Sequence, residues 1–283
     1  ESVFTPEVTA PADPQAGYYA LTATVNPAGA GTLTLSPAAA LVEGNQNFYA
    51  AGQTVTATAT PANGSFAFVG WTGGPVTPEQ GAQPGSAIGT LAMDGPKTLT
   101  ANFGVACTVT SVPEGRQVVV DGVTYTTPQV FHWIPGTNHT LAATSPQAGA
   151  EGVRYAYLSW SDGKAQSHTV TAPQAPVTYM ATLGTQYALT AFSEAGLVSP
   201  AGAGVLTFSP TPVAVEGGRY WYVSNQLVTA KAVPVNGASG FAGWTGTPVI
   251  PITEAGPGGA AAALVLDSPK ALTANFGKLL GYT

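Results

Sequence analysis

Cys107 is the only cysteine in the chain, so neither a disulfide framework nor a cysteine-based metal site can be built within it. Charge is almost as scarce. Asp, Glu, Lys and Arg together make up 8% of the 283 residues, against about 25% in an ordinary globular domain. Eight Lys and Arg leave too few cations to neutralise a phosphate backbone, which argues against nucleic-acid binding. Three histidines, His132, His139 and His168, occur neither as HxH nor as HxxxH, so no metal-binding run is visible. No metal or cofactor is expected. The chain has no stretch of 18 apolar residues, and a membrane span is not expected. It begins at Glu1 without an initiator Met, as it would after removal of a signal peptide. An exported protein, extracellular or at the cell surface, is the expectation.

What the chain does hold is small, apolar and repetitive. Apolar residues account for 45% of it, enough for a core in each of two or three domains of ordinary size. The net charge of −6 gives weak self-repulsion and suits close packing between copies. The stretch Phe68-Val-Gly-Trp-Thr-Gly73 returns as Tyr157-Leu-Ser-Trp-Ser-Asp-Gly163 and as Phe241-Ala-Gly-Trp-Thr-Gly246. Pro27 to Gly104 aligns without a gap on Pro200 to Gly277, and roughly 43 of 78 positions are identical. Such identity marks a duplication.

The organisation follows from those landmarks. Residues 1–16 carry three prolines, stand outside the repeat and read as an N-terminal arm. Unit one spans 17–104, a divergent unit two 105–184, and unit three 185–277, with a tail at 278–283. Within unit one, Tyr19–Val25 and Thr54–Thr60 alternate with a period of two, as half-buried strands do. Asn63-Gly64 is a strong turn pair. No window shows a helical period with caps. Ala101-Asn-Phe-Gly-Val-Ala-Cys-Thr-Val109 runs from one unit straight into the next without a linker. The fold expected is all-β, with little helix: three tandem small β-modules in an elongated, rod-like array.

With Gly70-Trp71-Thr72-Gly73, and with Asp94-Gly-Pro-Lys-Thr-Leu-Thr-Ala-Asn-Phe103 closing the unit, the chain resembles the divergent internalin B-repeat family. Unit three restates the pattern as Gly243-Trp244-Thr245-Gly246 and Asp267-Ser-Pro-Lys-Ala-Leu-Thr-Ala-Asn-Phe276. Unit two departs from it at Ser159 and lacks the Ala-Asn-Phe element. The resemblance implies spacer domains of bacterial surface and secreted proteins, without catalysis.

Two aromatic positions recur. Trp71, Trp160 and Trp244 share one repeat position and read as core. At the other, Asn47-Phe48-Tyr49 aligns with Phe131-His132-Trp133 and Tyr220-Trp221-Tyr222. Neighbours on a strand point to opposite faces. Tyr49, Trp133 and Tyr222 are therefore assigned to the core, and Phe48, His132 and Trp221 to the outer face, available for a module, a subunit or a glycan. Ser161-Asp162-Gly163 has no GxSxG elbow around it and reads as a turn. The 14 acidic residues sit singly, and no enzyme is expected. Lys97 and Asn102, repeated as Lys270 and Asn275, point to opposite faces of one strand and cannot join in an isopeptide bond within a unit; nothing in the sequence supports one between units. The function expected is a self-assembling filament or sheath subunit, joined head to tail, or a surface stalk. The rival is a carbohydrate-binding or adhesin module of a larger secreted protein with a glycan or cell-surface partner.

Overall fold

The computed structural model describes residues 17–79, 86–195, 204–235, 239–252 and 258–278. The expected arm at 1–16 and the residues after Lys278 lie outside them. None of the described residues is helical, and the chain is all-β.

Unit one opens with β1 (Tyr18–Asn26), β2 (Gly31–Ser36), β3 (Leu41–Glu43) and β4 (Gln46–Ala50). It continues with β5 (Thr54–Pro61), β6 (Phe66–Gly73), β7 (Thr77–Glu79) and β8 (Ala87–Ala92). Next comes β9 (Lys97–Val112), a strand of 16 residues. Its first half lies between β1, to which it is parallel, and β6, to which it is antiparallel. A second sheet, in the order β2-β5-β8-β7, faces this one. Leu21, Tyr49 and Leu99 from one sheet meet Val55, Ala57, Leu91 and Met93 from the other in a single buried cluster. The alternation in β5 is what makes this possible: Val55, Ala57 and Ala59 are buried, while Thr56 and Thr58 between them lie on the other face, half-buried.

Unit two contributes β10 (Gln117–Val120), β11 (Val123–Thr126), β12 (Gln129–Trp133) and β13 (Asn138–Ala143). Then follow β14 (Gln147–Ala148), β15 (Val153–Trp160), β16 (Ser167–Thr171) and the 19-residue β17 (Val177–Ala195). Unit three adds β18 (Gly204–Ser209), β19 (Ala214–Glu216), β20 (Arg219–Val223) and β21 (Gln226–Pro234). It closes with β22 (Ser239–Gly246), β23 (Ile250–Ile252), β24 (Ala260–Leu266) and β25 (Lys270–Lys278). Each unit repeats the plan of two facing sheets, with β11-β10-β13-β16 and β18-β21-β24-β23 as the second sheets.

The first sheets of the three units form one continuous 13-stranded sheet, because β9 and β17 each serve two units. The second half of β9 pairs antiparallel with β12 and parallel with the start of β17. The second half of β17 does the same with β20 and β25. Side-chain alternation is never broken on the way through. Leu99, Ala101 and Phe103 go into the clusters of unit one, and Val105, Cys107 and Val109 into that of unit two. On β17, Tyr179, Ala181 and Leu183 serve unit two, and Tyr187, Leu189 and Ala191 serve unit three. Burial of Cys107 in that stripe pushes its thiol up to about 11.

Candidate functional site

The Gly-Trp-Thr-Gly and Ala-Asn-Phe elements explain each other. The pairing of β6 with β9 slips by one residue between Phe68 and Gly70, a bulge that leaves backbone groups unpaired. Asn102, 6% exposed, supplies partners. Its Nδ2 donates to Gly70 O at 3.3 Å and to Thr72 Oγ1 at 3.0 Å, while its Oδ1 accepts from Asn26 Nδ2 at 3.0 Å. In unit three Asn275 donates to Gly243 O and Thr245 Oγ1, both at 3.1 Å. Phe68 lies 4.9 Å from Trp71 and edge-on to Phe103 at 6.0 Å; Phe241 repeats this with Trp244 and Phe276 at 5.0 and 6.1 Å. Trp160 is 3% exposed. Trp71 and Trp244 are half-buried, and each packs against both clusters of its unit. Lys97 and Lys270 make ion pairs of 2.6 Å with Asp94 and Asp267, away from the two asparagines.

Tyr49, Trp133 and Tyr222 are buried in the cores. The hydroxyls of Tyr49 and Tyr222 have no hydrogen-bond partner, and burial pushes Tyr222 up to about 12. Trp133 instead stacks flat on His139, with ring centroids 4.2 Å apart and 7° between planes.

The expectation of an exposed outer row needs correction. Phe48 and Trp221 are only 6% and 8% exposed, and His132 is half-buried. His132 and Trp221 sit where an earlier piece of chain reaches across. The backbone of His132 packs on Gly104, where an added Cβ would stand 2.5 Å from the His132 carbonyl. Nearby, Ala106 N donates to Ser65 O at 2.8 Å. Trp221 is covered by Arg154 of unit two, whose guanidinium lies 4.3 Å from the indole centroid. Arg154 is itself 7% exposed. It donates through Nε to Gln186 Oε1 at 2.7 Å and through Nη1 to Glu216 Oε2 at 2.8 Å. A second ion pair crosses the same junction in the opposite sense, Glu151 of unit two with Arg219 of unit three at 2.8 Å. Both arginines lining the cleft of about 400 Å³ there are thus paired with carboxylates. Strand alternation identifies the outer face but cannot say what folds over it.

Asp121, His139 and Thr137 form a chain with the outward form of a carboxylate, imidazole and hydroxyl relay. Asp121 Oδ2 lies 2.7 Å from His139 Nδ1, and His139 Nε2 lies 2.9 Å from Thr137 Oγ1. The Thr137 hydroxyl donates to Ile134 O at 2.6 Å. The nearby N–H groups of Gly136 and Thr137 are taken by Ala172 O and Ile134 O, so no donor pair is left to hold an oxyanion. Asp121 Oδ1 accepts from Thr140 N at 2.8 Å, and the chain works as a clasp on the Asp121-Gly122 turn. Burial opposes ionisation of Asp121, but the His139 and Thr140 hydrogen bonds outweigh it and hold its carboxyl below the ordinary value. Asp162 lies 3.2 Å from His168 Nε2, although that nitrogen has no aligned hydrogen-bond acceptor. Among the described residues, no group of three His, Cys, Asp or Glu is placed to hold a metal ion.

One surface was not singled out from the sequence, although the duplicate alignment contains it. On the outer face of its second sheet unit one carries Thr32, Thr54, Thr60 and Thr77 where unit three carries Val205, Leu227, Val233 and Ile250. The last four are 52, 55, 39 and 69% exposed. The module folds with either set.

The architecture is that of a tandem β-repeat: a two-sheet module stapled by Asn102 and Asn275, with neighbours joined through shared strands. Residues 21–107 match the family model of the divergent InlB B-repeat domain, a repeat of bacterial surface proteins. No curated protein matches the chain. Among the described residues no helix is long and apolar enough to cross a membrane.

Proposed function

We propose that the chain is a non-enzymatic structural protein outside the cell, a filament or sheath subunit that self-associates head to tail, or else the stalk of a surface protein. The observation that carries this is the pair of shared strands. A junction made of one uninterrupted, doubly paired strand transmits load through backbone hydrogen bonds, which a chain of freely jointed binding domains has no need of. The low charge removes most of the repulsion between copies. Joining like ends to unlike ends without closure gives an open filament, and residues 1–16 are suited to reach a neighbour's sheet edge. A carbohydrate-binding role needs an open aromatic face, and the indole of Trp221 is already occupied by Arg154. Negative-stain electron microscopy beside light scattering tests the reading. Regular fibres are expected from the full chain and not from one lacking residues 1–16. Single particles at every concentration would remove the filament and leave the stalk, and fibres that survive the deletion would remove the arm contact.

A further inference from the structure

We infer that unit two carries, beside Arg116, a binding site for an acidic sugar: a uronate residue held by its carboxylate within an oligosaccharide. The site is separate from self-association and stands whether or not the chain assembles. The duplication points to it. Asn26-Pro27-Ala28-Gly29-Ala30-Gly31 in unit one aligns with Val112-Pro113-Glu114-Gly115-Arg116-Gln117 in unit two, and both segments turn at a glycine of positive φ, 81° at Gly29 and 75° at Gly115. In unit one the turn is sealed, with Ala30 fully buried and Gly31 against the ring of Phe103. Unit two has Arg116, Gln117 and Leu183 at those three places. A hollow of about 360 Å³ lies beside the first two.

The walls of the hollow are fixed, and its cation lacks a counter-ion. Gln147, 8% exposed, clamps one side. Its Oε1 accepts from Gln117 N at 2.7 Å, and its Nε2 donates to Gln117 O at 2.8 Å and to Thr144 O at 2.9 Å. Arg116 O accepts from Thr127 N and from Thr127 Oγ1, both at 3.0 Å. The half-buried Arg116 side chain is held over Tyr155, its guanidinium 4.2 Å from the ring centroid. Arg154 and Arg219 are paired with Glu216 and Glu151, whereas Arg116 has no carboxylate partner among the described residues. The Gln117 carboxamide and the hydroxyls of Thr126 and Thr144, which also line the hollow, have no hydrogen-bond partner among them either.

These free groups define the ligand. A guanidinium presents a planar fork of N–H donors that matches the two oxygens of a carboxylate. Hydroxyls and a carboxamide both donate and accept, as the hydroxyls of a sugar ring do. The volume suits a small ligand. Apart from Pro146 and Ala148 the lining offers little apolar surface, so the side chains of an acidic peptide would find few contacts there. A neutral sugar that relies on stacking finds no open ring, because Arg116 covers Tyr155 as Arg154 covers Trp221. The cleft of about 400 Å³ at the junction with unit three shares Pro146, Gln147 and Ala148 with the hollow. A sugar chain bound at Arg116 can therefore continue along the surface.

Equilibrium dialysis of the full chain against trigalacturonate tests this, and it reads affinity for single particles and fibres alike. Trigalacturonate should bind, and the neutral trisaccharide of galactose should not. Arg116→Gln should raise the Kd at least about tenfold, the loss expected for hydrogen bonds to a charged group. Arg116→Lys, which keeps the charge without the fork, should not restore it. Gln117→Ala removes only an exposed carboxamide and should weaken binding in the same direction; it covers the case in which the Arg116 variants fail to fold, as judged by circular dichroism. Undiminished binding by the folded variants, equal binding of the neutral trisaccharide, or no binding of trigalacturonate would each overturn the inference. So would binding of a glutamate-rich peptide but not of trigalacturonate, which would make the site one for protein carboxylates. None of these results bears on assembly.

Discussion

Replacing Gly204 by alanine should destabilise unit three, although the same change at an ordinary strand position is stabilising by about 0.5–1 kcal/mol. The reason is the phenylalanine of the Ala-Asn-Phe element. A Cβ built on Gly204 would stand 2.0 to 2.4 Å from three ring atoms of Phe276, against about 3.5–4.0 Å for a comfortable carbon contact. Phe276 is 1% exposed and packed edge-on to Phe241, so the ring cannot swing into solvent. Relief requires moving the ring or the strand by more than an ångström, and overpacking of this kind costs about 1–3 kcal/mol. Unit one repeats the arrangement, with Gly31 against Phe103 at 2.5 Å and Thr60 O at 2.6 Å. Urea unfolding followed by tryptophan fluorescence should show the midpoint falling by about 1 M for Gly204→Ala, taking a slope of about 2 kcal/mol/M. Phe276→Leu alone should also destabilise, but combined with Gly204→Ala it should cost less than the sum, because the smaller side chain vacates the space. A midpoint that stays level or rises for Gly204→Ala would refute the claim that this glycine exists to admit the ring.

Other consequences can be checked independently. Arg154→Ala removes a buried guanidinium with two hydrogen bonds and a ring contact across the second junction. It should cost about 2–3 kcal/mol and appear in calorimetry as unit three melting apart from unit two, and Arg154→Lys, with no planar fork, should not rescue it. Because the folded Asp121 carboxyl titrates below its ordinary value of 3.8, its contribution to stability is present above that pH and is lost as pH falls through the folded value. Unit two should therefore weaken below about pH 4, and Asp121→Asn, which keeps the turn, should flatten that part of the profile. Converting Leu227 and Ile250 to the threonines found in unit one should leave the thermal midpoint within about 0.5 kcal/mol of wild type and shorten retention on a hydrophobic column. An unchanged retention would mean that this face is not available to a partner.

The sequence made the all-β class, the three-fold repeat and the absence of linkers legible, since alternation and self-similarity are local patterns. Tyr49 and Tyr222 could be assigned to the core by the same alternation. What could not be read was the fate of the outer face. Trp221 is covered by Arg154, 67 positions earlier in the chain, and that contact exists only because β17 carries unit two directly onto unit three. The roles of Asn102 and Asn275 were hidden for a related reason: their partners lie on another strand, at a bulge whose slip in register leaves no mark in β9 itself. The Thr137–His139–Asp121 clasp joins residues on either side of two strands, and neither its acid nor its imidazole follows a spacing motif.

Amide hydrogen exchange along β9 and β17 tests most directly whether these strands bind the units into one structural element. The amides of Val105 to Cys107 and of Leu183 to Ala188 should be protected as strongly as Leu99 and Leu189 inside the cores. Exchange at the junctions orders of magnitude faster than in the cores would make them hinges and contradict the shared-strand account.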